Sequence, residues 1–422
     1  MRITNKLFII VLSIILIIPI LNFNSFAYEI EEETDYIWLQ EEISSASNNA
    51  TTEPNLNSRY AIVLDRDSKA ILYEKNSNQK VPMASTTKIM TAIVLLESIE
   101  KNNSLTLESQ VEVCKQAGAI GGSRLGLKTG DKVSINDLLY GLLLCSGNDA
   151  AIQIAVSVAG SVEEFANLMN KKAEEMGLEN SHFVTPHGLD MEEHYTTAYE
   201  LAIITDYALN IEKFAEIVKT RTYTVCIDGN YKTITNTNEL LGYLKGVNGV
   251  KTGFTNGAGR CLVTSVDRDG FNIITVVLGA DTKKIRTKDS ISLIEYTYNN
   301  FEQMNIADLI KEKYGEWCKI NENRIFVYKG KKNNINVKLE DIKYNYYPTK
   351  KESLKDISIS IDNINTFFEA PVTKNILVAK LTVKIREKEI LTLNILTDED
   401  VERKDIKDYF LECLKYQRSY NF

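Results

Sequence analysis

The sequence predicts an α+β fold in which an antiparallel sheet is assembled from distant segments, followed by a small, mostly β domain and a C-terminal amphipathic helix. Three observations carry this. β-type runs at Tyr60–Asp65 and Ala70–Glu74 stand far from further strand patterns at Gly249–Thr255, Arg260–Val266 and Phe271–Leu278. The stretch between them reads mainly as helices. From about residue 306 the apolar residues begin to alternate instead.

The elements follow in order. Arg2 and Lys6 precede an apolar run from Leu7 to Leu21, and Ser25-Phe26-Ala27 offers small residues for cleavage. That is the layout of a secretory signal peptide over 1–27, too short for the roughly 20 residues of a membrane span, so the mature chain is expected to be exported. Residues 28–58, acidic and then rich in Ser, Asn and Thr, read as a linker that buries too little apolar surface to offset its ordering entropy. The first domain spans 59–302. In it Arg66-Asp67-Ser68 turns a hairpin, and helices are expected at about Ser85–Ser98, Ile135–Leu144 with Ser134 as N-cap, Ala150–Val158 and Val162–Met176. Thr255-Asn256-Gly257 turns between two strands, and Lys288–Phe301 closes the domain as a helix. Five alternating runs between Ile325 and Ile395 make the β domain of 306–398. In 399–422, Ile406, Tyr409, Phe410, Cys413 and Leu414 share one helical face, which suits either peripheral membrane contact or packing on the β domain.

Composition narrows the partners. A net charge of −8 and a pI near 5.3 leave no basic field for nucleic acid. The six cysteines are scattered without metal or redox spacing and read as free thiols. His182, His187 and His194 lie in one loop-like stretch without a His-Glu-x-x-His pattern, so they read as structural, and neither metal nor cofactor is expected.

Three patterns carry chemistry: Ser85-Thr86-Thr87-Lys88, Ser146-Gly147-Asn148 and Lys251-Thr252-Gly253. Each recurs elsewhere, as Ser77–Lys80, Ser98–Lys101, Ser134–Asn136 and Lys128–Gly130, so context decides. Only Ser85 opens a helix, where a residue three positions on shares its face and brings Lys88 to the serine oxygen. Ser146 falls between two helices, and Lys251 to Gly253 fall in a strand whose glycines let a ligand backbone approach. A serine hydroxyl needs a neighbouring base, and Lys88 serves only if burial and a second cation such as Lys251 push its pKa well below the usual ~10.4.

With the flanking Pro82-Met83-Ala84, Gly121-Gly122-Ser123-Arg124, Asp137–Leu143, Asp149-Ala150-Ala151, Pro186-His187-Gly188-Leu189 and Gly249–Thr255, the chain resembles the low-molecular-mass penicillin-binding proteins that are serine D-alanyl-D-alanine carboxypeptidases. The resemblance is strong over roughly 59–290 and looser, through Ala370-Pro371-Val372, in the β domain. It implies a penicillin-binding/β-lactamase-like catalytic domain that removes the terminal D-alanine from peptidoglycan stem peptides. It also implies β-lactams as covalent inhibitors. By the same resemblance Ser85 is the nucleophile, Lys88 its base and Ser146 the relay to the leaving group. Asn148, Lys251, Thr252 and Gly253 bind substrate, and the N–H groups of Ser85 and Phe254 form the oxyanion hole. Phe254 stands where some relatives have histidine. Gly279-Ala280-Asp281 stands where some have an arginine, for which Arg286 is the candidate substitute. A β-lactamase or a non-catalytic wall-binding protein are the competing functions.

Overall fold

Bulky apolar residues fill the strand patterns at both ends of the first domain, and in the structure they meet in one sheet. The computed structural model describes residues 37–47, 52–101, 105–321 and 323–419. The expected signal peptide, and much of the expected linker, lie outside these. The chain forms two compact units, one containing 71–299 with the described residues before 65, the other 65–70 with 300–419.

In the first unit α1 spans 37–47. β1 (Tyr60–Asp65) and β2 (Ile71–Lys75) form an antiparallel hairpin. A 3₁₀ turn at Ala84–Thr87 leads into α2 (Lys88–Lys101). Then come β3 (Gln110–Glu112), α3 (Lys115–Ala119), β4 (Lys132–Ser134), α4 (Ile135–Leu143), α5 (Asn148–Ala159) and α6 (Val162–Glu175). α7 (Ala198–Leu209) and α8 (Glu212–Val218) precede the hairpin of β5 (Thr222–Ile227) and β6 (Asn230–Thr235). β7 (Val247–Thr255), β8 (Gly259–Arg268), β9 (Phe271–Ala280) and α9 (Lys283–Asn300) close the unit. The main sheet runs β2-β1-β9-β8-β7, so the two ends of the unit meet at β1 and β9; a second sheet runs β3-β4-β5-β6.

α2 is buried on all sides from Lys88 to Leu96, which makes it the axis of the helical layer rather than a surface helix. The helices around it start where short polar side chains satisfy free N–H groups. Ser134 accepts from Asp137 N, Ser161 from Glu164 N and Thr197 from Glu200 N. α9 begins five residues earlier than the sequence pattern suggests, because Thr282 Oγ1 accepts from Ile285 N at 3.1 Å and acts as its cap. That shift brings Arg286 into the first turn.

The linker reading of 28–58 fails over 37–47, which is helical. Leu39 is buried, Trp38 lies under the Lys284 ammonium, Glu42 pairs with Lys288, and Ser47 donates to Glu295. α1 is thus ordered by α9, a partner more than two hundred residues away that local composition cannot reveal. Likewise Ser58 is buried with N and Oγ both donating to Asp289 at 2.6 Å.

The second unit departs from the mostly β expectation at its start. Residues Ile306–Asn321 form a helix that buries Ile306, Ile310 and Trp317 against a four-stranded antiparallel sheet built from the later alternating runs. A helix at Ile406–Ser419 follows, with Ile406, Phe410, Leu411 and Leu414 exposed. All six cysteines are free, though only Cys261 is buried.

Asp149 ties the site loop to this scaffold. Fully buried, it accepts from the N–H groups of Leu125 (2.8 Å), Gly126 (2.8 Å) and Leu127 (3.0 Å). Asp149→Ala is expected to lower the unfolding free energy by about 3 kcal/mol in urea titrations, since it strands those donors. A loss below about 0.5 kcal/mol would show that the loop does not depend on this carboxylate.

Candidate active site

The 3₁₀ turn carrying Ser85 is shaped by glycines from two remote segments. Ala84 adopts a left-handed φ of 49°. A Cβ on Gly188 would lie 1.9 Å from Ala84 O, and one on Gly253 would lie 3.1 Å from Ser85 N. Only residues without side chains let these backbones approach the turn so closely. Thr86 and Thr87 hydroxyls donate back to Met83 O and Ala84 O. Behind them His194 Nδ1 accepts from Val184 N at 3.0 Å, so its Nε2–H donates to Thr87 Oγ1 at 2.8 Å. Burial holds His194 down to about 4 and His187 down to about 3, and both stay neutral. His194 thus braces the turn through Thr87, while His187 Nδ1 accepts from Leu189 N at 3.2 Å within its own loop.

Lys88, the first residue of α2, is fully buried, and its Nζ lies 2.8 Å from Ser85 Oγ, 2.8 Å from Asn148 Oδ1 and 2.7 Å from His187 O. Burial, reinforced by the nearby Lys251 cation, holds its pKa well below the usual lysine range. A neutral amine has two N–H donors and one lone pair. Asn148 and His187 take the donors, which leaves the lone pair for the Ser85 O–H.

Ser146 stands in the gap between α4 and α5 with a left-handed φ of 62° and is almost wholly buried. The next segment is pinned: Asn148 N donates to Ser123 O and its Nδ2 to Gly121 O, both at 2.8 Å. Lys251 in β7 is buried, donates to Thr252 O at 3.0 Å and is held down to about 7 by burial. Thr252 Oγ1 lies 2.6 Å from Thr237 Oγ1. Phe254 is half exposed, with the Arg260 guanidinium 3.7 Å from its ring centroid.

All eight residues expected from the sequence therefore converge. Ser85, Ser146, Thr252, Gly253 and Phe254 line one cavity of about 930 Å³; Lys88 reaches it through Ser85, Asn148 bonds Lys88, and Lys251 lies behind the wall beside Thr252, near enough to Lys88 to lower its pKa. The alternatives separate by context: Ser134 caps α4, and Ser77 bonds Glu74. The sequence reading missed Ser123 and Thr237 as lining groups, together with a polar wall of Arg221, Glu239, Arg260 and Lys283 around Arg286. Only Arg286 was signalled, by its place after β9. Among the described residues no group of three His, Cys, Asp or Glu is placed to hold a metal ion.

Comparison with known proteins agrees with this geometry. Residues 47–282 match the family described as D-alanyl-D-alanine carboxypeptidase, and residues 321–403 match the C-terminal domain of penicillin-binding protein 5. The chain is 36% identical over 255 residues to D-alanyl-D-alanine carboxypeptidase DacF of Bacillus subtilis, spanning 60% of this chain and 65% of that relative. It is 30% identical over 369 residues to DacD of Escherichia coli, spanning 85% and 91% respectively. Penicillin binding protein 5 from Haemophilus influenzae superposes with a TM-score of 0.71 at 27% identity, over 83% of this chain and 99% of that one. A buried Ser-Lys pair, a Ser-x-Asn corner and a Lys-Thr-Gly strand around one cavity, in a chain that matches these relatives through both units, place the protein in the serine-type D-alanyl-D-alanine carboxypeptidase family.

Proposed function

We propose that this chain removes the terminal D-alanine from peptidoglycan stem peptides through an acyl-enzyme on Ser85. The observation that carries the reading is the 2.8 Å contact between Ser85 Oγ and a Lys88 amine that burial keeps neutral. Lys88 takes the Ser85 proton as Oγ bonds to the carbonyl carbon between the two D-alanines. The oxyanion accepts from the N–H groups of Ser85 and Phe254, the latter next to Gly253, whose Cβ position lies 3.1 Å from Ser85 N; such donors are worth about 3 kcal/mol each. Collapse breaks the C–N bond, and Ser146 relays the proton held by Lys88 to the departing amine, which returns Lys88 to its neutral form. Water, deprotonated by Lys88, then cleaves the ester and restores Ser85.

Asn148 and Gly253 hold the substrate backbone, the latter by adding it as a strand beside β7. Thr252 and Arg286 receive the terminal carboxylate. Arg286 lies on the cavity wall, a guanidinium suited to an anion, and its buried Nε–H has no hydrogen-bond partner among the described residues. Lys251 adds positive charge behind them. β-Lactams, as mimics of the dipeptide, acylate the same serine.

Such a substrate lies outside the cytoplasm, in keeping with the export signal read at 1–27; no helix of the described residues is long and apolar enough to cross a membrane. The helix Ile406–Ser419 supplies peripheral contact instead, with Ile406, Phe410 and Leu414 on an exposed face flanked by Lys407 and Lys415.

Three outcomes are expected. Labelling with a fluorescent penicillin modifies Ser85 and is abolished in Ser85→Ala; an adduct persisting in that variant would remove Ser85 as nucleophile. The pH profile of kcat/KM rises as Lys88 loses its proton and falls as Lys251 loses its own near 7. Lys251→Arg, which cannot deprotonate, shifts only the alkaline limb, beyond about pH 9. Flotation with anionic vesicles recovers the full chain and loses it on deletion of 406–422, unless that helix packs only on protein.

A further inference from the structure

We infer that Glu239 is a built-in competitor for the substrate's terminal carboxylate, holding Arg286 in place while partly neutralising it. The inference rests on the reading of Arg286 as the carboxylate partner. Glu239 is the single acid among the described residues lining the cavity, against Arg221, Arg260, Lys283 and Arg286. One of its oxygens, Oε1, accepts from Arg286 Nη2 and from Thr287 Oγ1, whereas Oε2 has no hydrogen-bond partner. On the other side of the pair, Arg286 Nε is likewise unpartnered. The pair is therefore half used, with an acceptor and a donor left over.

The loop carrying Glu239 between β6 and β7 is fixed and does not swing the acid away. Asn238 Nδ2 donates to Gly249 O at 2.8 Å, and Asn236 Nδ2 donates to Val218 O and Thr220 O, both at 3.1 Å. Arg286 sits at the start of α9, equally rigid. The side chains of Arg286 and Glu239 are only 5% and 19% exposed, so solvent screens their charges weakly.

Without Glu239 the empty site would bury an uncompensated guanidinium, which is costly. With it, an entering carboxylate meets a cation already shared and an anion close by. Both substrate and released D-alanine carry that carboxylate, so Glu239 weakens ground-state and product binding alike without touching the reacting carbonyl. A residue of this kind raises KM, leaves kcat unchanged or higher, and limits product inhibition.

The experiment compares kinetics on a stem peptide ending in D-Ala-D-Ala with the same peptide amidated at its C-terminus. Glu239→Gln keeps the acceptor for Arg286 and Thr287 and removes the charge. It is expected to lower KM for the acid about tenfold, to strengthen inhibition by D-alanine similarly, and to leave the amide unaffected. Glu239→Asp, which keeps the charge, should stay within about twofold of the unsubstituted enzyme. Circular dichroism and thermal unfolding check that each variant is folded. Arg286→Gln should raise KM for the acid alone. If it does so while Glu239→Gln changes nothing, the competitor role is overturned and the Arg286 reading stands. If neither variant distinguishes acid from amide, both fall. A higher KM in Glu239→Gln would make Glu239 a positioning residue and overturn competition.

Discussion

Everything at the site depends on keeping a lysine amine neutral beside a serine. Lys88 is buried at the start of a deeply enclosed helix, with no carboxylate among the described residues bonded to its Nζ. The nearby buried acid, Asp149, spends its oxygens on backbone N–H groups of the adjacent loop. An ammonium buried in that position lacks a bonded counterion among the described residues, so giving up the proton is the least costly solution. The surrounding architecture follows from this need. α2 is central because its first residue must be dry, and the helices and histidines around it supply acceptors and bracing rather than charge.

Burying lysines in this way weighs on the fold. Lys251 titrates at about 7 in the folded chain, against about 10.4 in an unfolded one. Between those values the folded chain binds fewer protons than the unfolded, so stability rises with pH across that window and is lowest below it. Lys88 acts in the same direction. Asp149 offsets this for Lys88 only as a minor contribution, and among the described residues no acid bonds either amine. Part of the stability that the sheet and helical core provide is therefore consumed at the site, a common arrangement where catalysis requires an otherwise unfavourable environment.

Much of this was legible in the sequence, and the limits have physical causes. Ser85 and Lys88 were readable because spacing along a helix is local, and Ser134 as a cap because its partner Asp137 is three residues away. β7 to β9 announced themselves by apolar runs and a turn. What stayed hidden was set by distant partners. α1 looked like a linker because the lysines that order it lie on α9. The start of α9 was misplaced because Lys283, Lys284 and Lys288 mask its pattern, while Thr282 does the capping. Glu239 carried no signal at all, since an acid gains meaning only beside Arg286, which belongs to another element.

The glycine approach at Ser85 has a consequence for the life of the molecule. Gly188 and Gly253 come from segments made long after the nucleophile, and both must press on its turn before the hydroxyl, amine and oxyanion donors align. On the proposed roles, a chain still being made would be inert towards this chemistry until β7 has docked. On the same roles, penicillin reactivity would report that Gly188 and Gly253 have closed on the Ser85 turn.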